Sequence, residues 1–161
     1  MILGMSLATF TTVHVIISLI GIVSGLVVLY GMLTGAKSDG MIALFLASTI
    51  LTSVTGYFFP AEKILPSHIV GALSLVVLAI AVFAFYGKHI VGSWRWIYVL
   101  TAIVALWFNC FVGVVQAFQK VSFLHPLAPT QSEPPFAIAQ GAVLLIFVVA
   151  AIVAMRRWRP A

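Results

Sequence analysis

Five stretches of this chain are each long and apolar enough to cross a bilayer as a helix, and that removes most folds from consideration. A helical crossing needs about 20 apolar residues. Such runs occupy about 8–33, 40–59, 67–87, 94–119 and 135–156. Only 7% of the 161 residues are charged, against roughly 25% in a soluble domain, so the chain could not cover itself with a wetted surface. The expected fold class is all-α: an integral membrane bundle of five transmembrane helices forming a single domain over 1–161. The N-terminus has no Lys or Arg before Lys37 and its apolar run exceeds a signal-peptide core, so it reads as a retained first span.

Charge sets the expected orientation. Lys37, Lys88, Arg95, Arg156, Arg157 and Arg159 fall on one side of the membrane, and only Lys63 and Lys120 on the other. Basic residues favour the cytoplasmic side, which puts the N-terminus outside and the C-terminus inside, as in a multi-pass protein of the cell inner membrane. Trp94, Trp96, Trp158, Tyr30, Tyr86 and Tyr98 are then expected as an aromatic belt at the inner interface. The net charge of +5 is thereby explained as topology, and no nucleic-acid partner is implied. No Gly-rich phosphate loop, cysteine zinc spacing or Ser/His/Asp order is present. The lone Cys110 excludes an internal disulfide.

Once the runs are oriented, the uncommon residues sort by depth. The outer halves contain Thr11, Thr12, His14 and Ser18, then Thr52, Ser53, Thr55 and Tyr57, then Ser67 and His68. Asn109, Gln116 and Gln140 join them, beneath a proline-rich loop carrying His125 and Glu133. The inner halves, such as "LVVLYGML" and "LLIFVVAAIVA", are almost wholly apolar. Polar groups in hydrocarbon are costly unless paired, and those retained tend to face the bundle interior or a cavity. The expectation is an outward-facing pocket lined by His14, His68, Asn109, Gln116 and Gln140. The bland alternative is that hydroxyls bond their own backbone and amides bridge helices.

"TTVHVIISLIG" and "LPSHIVGALS" place a histidine near the outer end of the first and third runs, 54 positions apart. This is a weak repeat of a two-helix hairpin. In an up-down bundle helices 1 and 3 lie diagonally, so the two imidazoles would face each other across roughly 11–14 Å. Small residues follow both: Ser18, Gly21 and Gly25, and Gly71, Ala72 and Ser74. The pair resembles the axial bis-histidine ligation of four-helix b-type cytochromes, a resemblance confined to His14, His68 and the glycines. It implies haem b held between His14 and His68; the chain departs from the commoner four-histidine pattern, because His89 lies on the other side and His125 in a loop. The whole chain also resembles small multispanning proteins of the bacterial inner membrane, a likeness that implies no activity.

Four functions are thus in view. One is a redox protein binding haem b or a quinone headgroup, the latter hydrogen-bonded by His, Asn109 and Gln116. A second is metal binding by His14, His68 and His125 with Glu62 or Glu133. A third is an accessory or assembly subunit that packs on other membrane-protein subunits and performs no chemistry. A transporter fits least, since no intramembrane carboxylate is present.

Overall fold

The computed structural model describes residues 1–160, and among them the elements are helical throughout. Helix α1 spans Leu7–Thr34, α2 Asp39–Gly56, α3 Pro66–Val82, α4 Ser93–Lys120 and α5 Pro134–Arg157. Helix α3 runs on through a π-helical turn, Phe83–Gly87, so its apolar span is Pro66–Gly87. All five are long and apolar enough to cross a membrane, and the chain is multi-pass in a lipid environment.

The helix limits follow from local chemistry. Ser6 caps α1, its hydroxyl accepting the N–H of Thr9 at 3.2 Å. The helix stops at Gly35, whose φ of +83° is a left-handed conformation that costs glycine little. Ser38 caps α2, and Asp39 sits in its first turn, where a negative charge is favoured. Helix α2 was expected to reach residue 59 but ends at Gly56. Pro60 disfavours helix just before it, and Phe58 and Phe59 turn back onto Phe10 instead. Pro66 opens α3, and Pro134 and Pro135 open α5, positions where a missing N–H is harmless.

Helices α1 to α4 form a ring. Helix α1 packs on α2 and α4, and α3 packs on α2 and α4, while α1 and α3 hardly touch. They therefore lie diagonally, as the hairpin reading expects. Helix α5 sits outside the ring in the groove between α1 and α4. Close approach depends on small residues. A Cβ added at Gly25 would lie 2.5 Å from Leu106 and 2.9 Å from Phe45. Ala102, Ala105, Ala150, Ala151 and Ala154 are buried on the facing helices.

The tight core lies at the basic end. Met32, Ile42, Phe45, Leu78, Val99 and Leu106 interlock there. Two members of the expected aromatic belt belong to this core: Trp158 is 1% exposed and Tyr98 0%. The chain turns after Arg157 and lays the indole against Tyr98, with Nε1 donating to the carbonyl of Ala36 at 2.9 Å. Arg95 fixes this closure from α4, its Nη1 donating to the carbonyls of Met155 and Trp158 at 3.1 and 2.6 Å. Those carbonyls at the end of α5 would otherwise lack partners. Tyr30, Tyr86 and Trp96 are exposed, as belt residues should be.

The loop between α4 and α5 is folded back rather than open. His125 Nδ1 donates to the carbonyl of Phe118, and Gln131 donates to that of Val115. Ala128 is fully buried, and Phe118 meets Phe136 edge to face. At the start of α5 the Glu133 carboxylate accepts from the Thr130 hydroxyl, the Thr130 N–H and the Ser132 N–H. These bonds, the Thr130 hydroxyl first, hold its pKa below the ordinary 4.5.

Two outcomes follow. Gly25→Ala must displace Leu106 and the Phe45 ring, and should cost about 1–3 kcal/mol of stability, read as a lower melting midpoint in detergent. Glu133, with its folded pKa depressed, adds stability that is present above its unfolded value and lost as pH falls through the lower folded one. Melting midpoints between about pH 6 and pH 3 should therefore fall less for Glu133→Gln than for the parent protein; parallel curves would show that the bonds carry no stability.

Candidate functional site

The end of the ring away from the tight core holds a small hollow of mixed lining, apolar surface interrupted by a few polar groups. Helix α1 gives it His14, α2 gives Thr52, Ser53 and Gly56, α3 gives Ser67, Val70, Gly71 and Ser74, and α4 gives Phe108, Asn109 and Val112. Its volume is about 90 Å³, room for water but small beside a typical small-molecule pocket of roughly 300–1,000 Å³. Ser74 is buried at its base, donated to by Ser53 at 3.3 Å, whereas the other wall residues are at least partly exposed. The hollow is thus open to its surroundings.

His14 is held in a defined way. Its Nδ1 lies 2.7 Å from Thr55 Oγ1. The Thr55 hydroxyl donates to the carbonyl of Leu51 at 2.6 Å, one turn back on its own helix. With that hydrogen committed, the Thr55 oxygen accepts, and His14 carries its proton on Nδ1. The ring edge also meets Phe59 at a centroid distance of 5.1 Å. Nε2 is left with a bare lone pair and no protein partner, in a side chain that forms part of the hollow's wall. An imidazole anchored through Nδ1–H to an oxygen, with Nε2 open, is arranged to accept a hydrogen bond or to ligate.

His68 has the opposite arrangement. Its Nδ1 accepts the N–H of Leu65 at 3.1 Å, so the proton of the neutral ring is on Nε2. The ring stacks on Tyr57 at 5.5 Å, and the Tyr57 hydroxyl donates to the His68 carbonyl at 2.6 Å. His68 is the third residue of its helix, where free N–H groups wait for a cap, whereas His14 lies two turns into α1. The repeat in sequence therefore does not give equivalent environments. Ser67, Val70, Gly71 and Ser74 line the hollow from α3, and His68 does not.

The remaining candidates divide. Asn109 lines the hollow and donates weakly to Thr49 Oγ1 at 3.4 Å; both press on Gly21, where an added Cβ would be 3.0 and 3.1 Å from them. Gln116 is exposed near the end of α4 and outside the wall. Gln140 faces α4 and donates to the carbonyl of Phe111 at 3.0 Å, a bridge between helices. His125 is occupied in pinning its loop. Among the described residues no three His, Cys, Asp or Glu side chains converge as a metal set, so His14, His68 and His125 are not brought together. The fit to haem is also poor, because a hollow of this size receives one histidine and the second offers N–H rather than a lone pair.

Thr55 and Tyr57 were recognised in the sequence only as polar residues at the end of helix 2. Their roles, orienting His14 and clamping the start of α3, depend on contacts 41 and 11 positions away. The available signal was spacing: Thr52 and Thr55 share a helix face pointing across to α1. No protein-family model, curated protein or solved structure matches the chain, so the site is interpreted from its own residues.

Histidine ¹⁵N chemical shifts in detergent should show His14 protonated on Nδ1 and His68 on Nε2. Thr55→Val should broaden or shift the His14 signals and leave those of His68 in place. Identical tautomers in the two rings would refute the assignment.

Proposed function

We propose that this is a multi-pass protein of the bacterial inner membrane whose His14 end faces the periplasm and binds the headgroup of a lipid-soluble quinone or quinol. The basic residues support the orientation: six gather at the Trp158 end, which is then cytoplasmic. The observation that carries the ligand reading is the bare Nε2 of His14, fixed by Thr55 at the edge of a hollow whose lining is mainly apolar with a few polar groups. With a quinol bound, Nε2 would accept a ring hydroxyl, and the Asn109 amide, otherwise committed only to Thr49, would donate to a quinol oxygen; with a quinone bound, only the Asn109 amide would donate, to a carbonyl oxygen. Val70, Phe108 and Val112 provide apolar surface beside these groups, the mixture usual for small-molecule sites. The hollow takes one edge of such a ring, and the rest would lie along the helices toward lipid.

Haem b is set aside for the two reasons of geometry given above. The competing reading, an accessory subunit without chemistry, predicts stable co-purification with other membrane subunits and no bound quinone.

The test is quinone content and affinity of the protein purified in mild detergent. Extraction should yield bound quinone, and His14→Phe should weaken binding of a soluble short-chain quinol about 10- to 100-fold, the loss of about 1.4–2.8 kcal/mol. Gln140→Leu, outside the wall of the hollow, should leave the affinity unchanged. Equal quinol affinity in parent and His14→Phe would defeat the proposal. An intense visible absorption band from bound haem would also defeat it.

A further inference from the structure

A second hollow lies at the opposite end of the bundle, beneath the turn that joins α1 to α2. It measures about 150 Å³ and its walls are almost wholly apolar, with Val27, Val28 and Gly31 of α1, Met41 and Ile42 of α2, and the Trp158 ring. Apolar space of this kind has no partners to hold water and takes up hydrocarbon instead. Val27 and Tyr30, on its α1 wall, are 45% and 69% exposed, so it opens sideways toward lipid.

The charge around the opening is one-sided. Lys37 lies on the rim, 3.2 Å from Asp39 and 5.5 Å from the Phe85 ring centroid. Trp158, which forms the inner wall, is flanked in sequence by Arg157 and Arg159. Both are exposed, and neither has a hydrogen-bond partner or ion pair among the described residues. Lys88 and Arg95 belong to the same end, tied to it through Trp94 and the Trp158 carbonyl. Asp39 is the one acidic residue there. A lateral apolar slot with Lys37 on its rim, and with the exposed and unpaired Arg157 and Arg159 on either side of its Trp158 wall in sequence, complements a molecule with an acyl chain and an anionic head.

We infer that this hollow is a binding site for an anionic phospholipid, with a segment of acyl chain against Val27, Met41 and Trp158 and the phosphate held by Arg157, Arg159 and Lys37. Bulk attraction of a basic surface to an acidic leaflet needs only charge. The site differs by requiring the slot as well, and it takes one lipid. It is independent of the His14 hollow at the other end.

The test uses native mass spectrometry of the full chain, titrated with dioleoyl phosphatidylglycerol, dioleoyl phosphatidylcholine or glycerol phosphate. One phosphatidylglycerol should be retained, at least about 10-fold more tightly than phosphatidylcholine, with glycerol phosphate a poor competitor. The double variant Arg157→Gln/Arg159→Gln should lose about 10- to 30-fold in affinity, near 5-fold for each charge removed. Ala36→Phe fills the mouth of the slot with every charge kept, and should abolish retention. Equal retention of the two lipids, unchanged binding by the double variant, or unchanged binding by a folded Ala36→Phe would each overturn the site. If Ala36→Phe does not fold, the lipid comparison and the arginine variant decide.

Discussion

Hydrocarbon offers a polar side chain no water, so each one carried into the bilayer must be satisfied by the protein itself. Most of the structure follows from how that demand is met. Ser18, Ser24, Ser48 and Thr101 bond carbonyls of their own helices and drop out of the functional account. Arg95 is committed to the end of α5 and Gln140 to α4. Among the described residues the buried Tyr98 hydroxyl, Trp107 Nε1 and Gln140 Oε1 have no partner, and at the hollow the group with spare capacity is the open nitrogen of His14.

The two ends of the bundle solve different problems. At the basic end glycine and alanine let α1, α2, α4 and α5 approach until large side chains interlock, and Trp158 walls the space beneath the first turn, leaving only the apolar slot there. At the other end serine, threonine and asparagine stand where such side chains would be, and the packing leaves room. A close-packed half gives a rigid base, so the polar half can hold His14 in one orientation without a dense core of its own. Precision at His14 comes from Thr55, in the last turn of α2, and from Phe59, in the turn just beyond it.

The fold class was legible because period and length decide it: each apolar run found its helix to within a residue or two, except where Phe58 and Phe59 turn away before Pro60. The diagonal relation of α1 and α3 was also legible, from hairpin connectivity. Side-chain direction was not. His14 and His68 occupy similar places in similar motifs, yet Pro66 starts α3 so close to His68 that the ring caps its own helix. Trp158 and Tyr98 fit an interfacial composition, but Arg95 turns the chain after α5 inward and both rings are buried. In both cases a hydrogen bond to a backbone group, three residues away for His68 and across to α5 for Arg95, outweighs the tendency of the residue type. Bonds of that kind leave no periodic trace in sequence.

The bond from Trp158 to Ala36 links positions 122 apart. During synthesis the first hairpin enters the membrane with the Ala36 carbonyl lacking this partner and the wall beneath its turn missing. Neither is supplied until α5 has been inserted and the chain beyond it has folded under. Assembly therefore ends where it began, with the chain beyond the last helix closing the turn that follows the first.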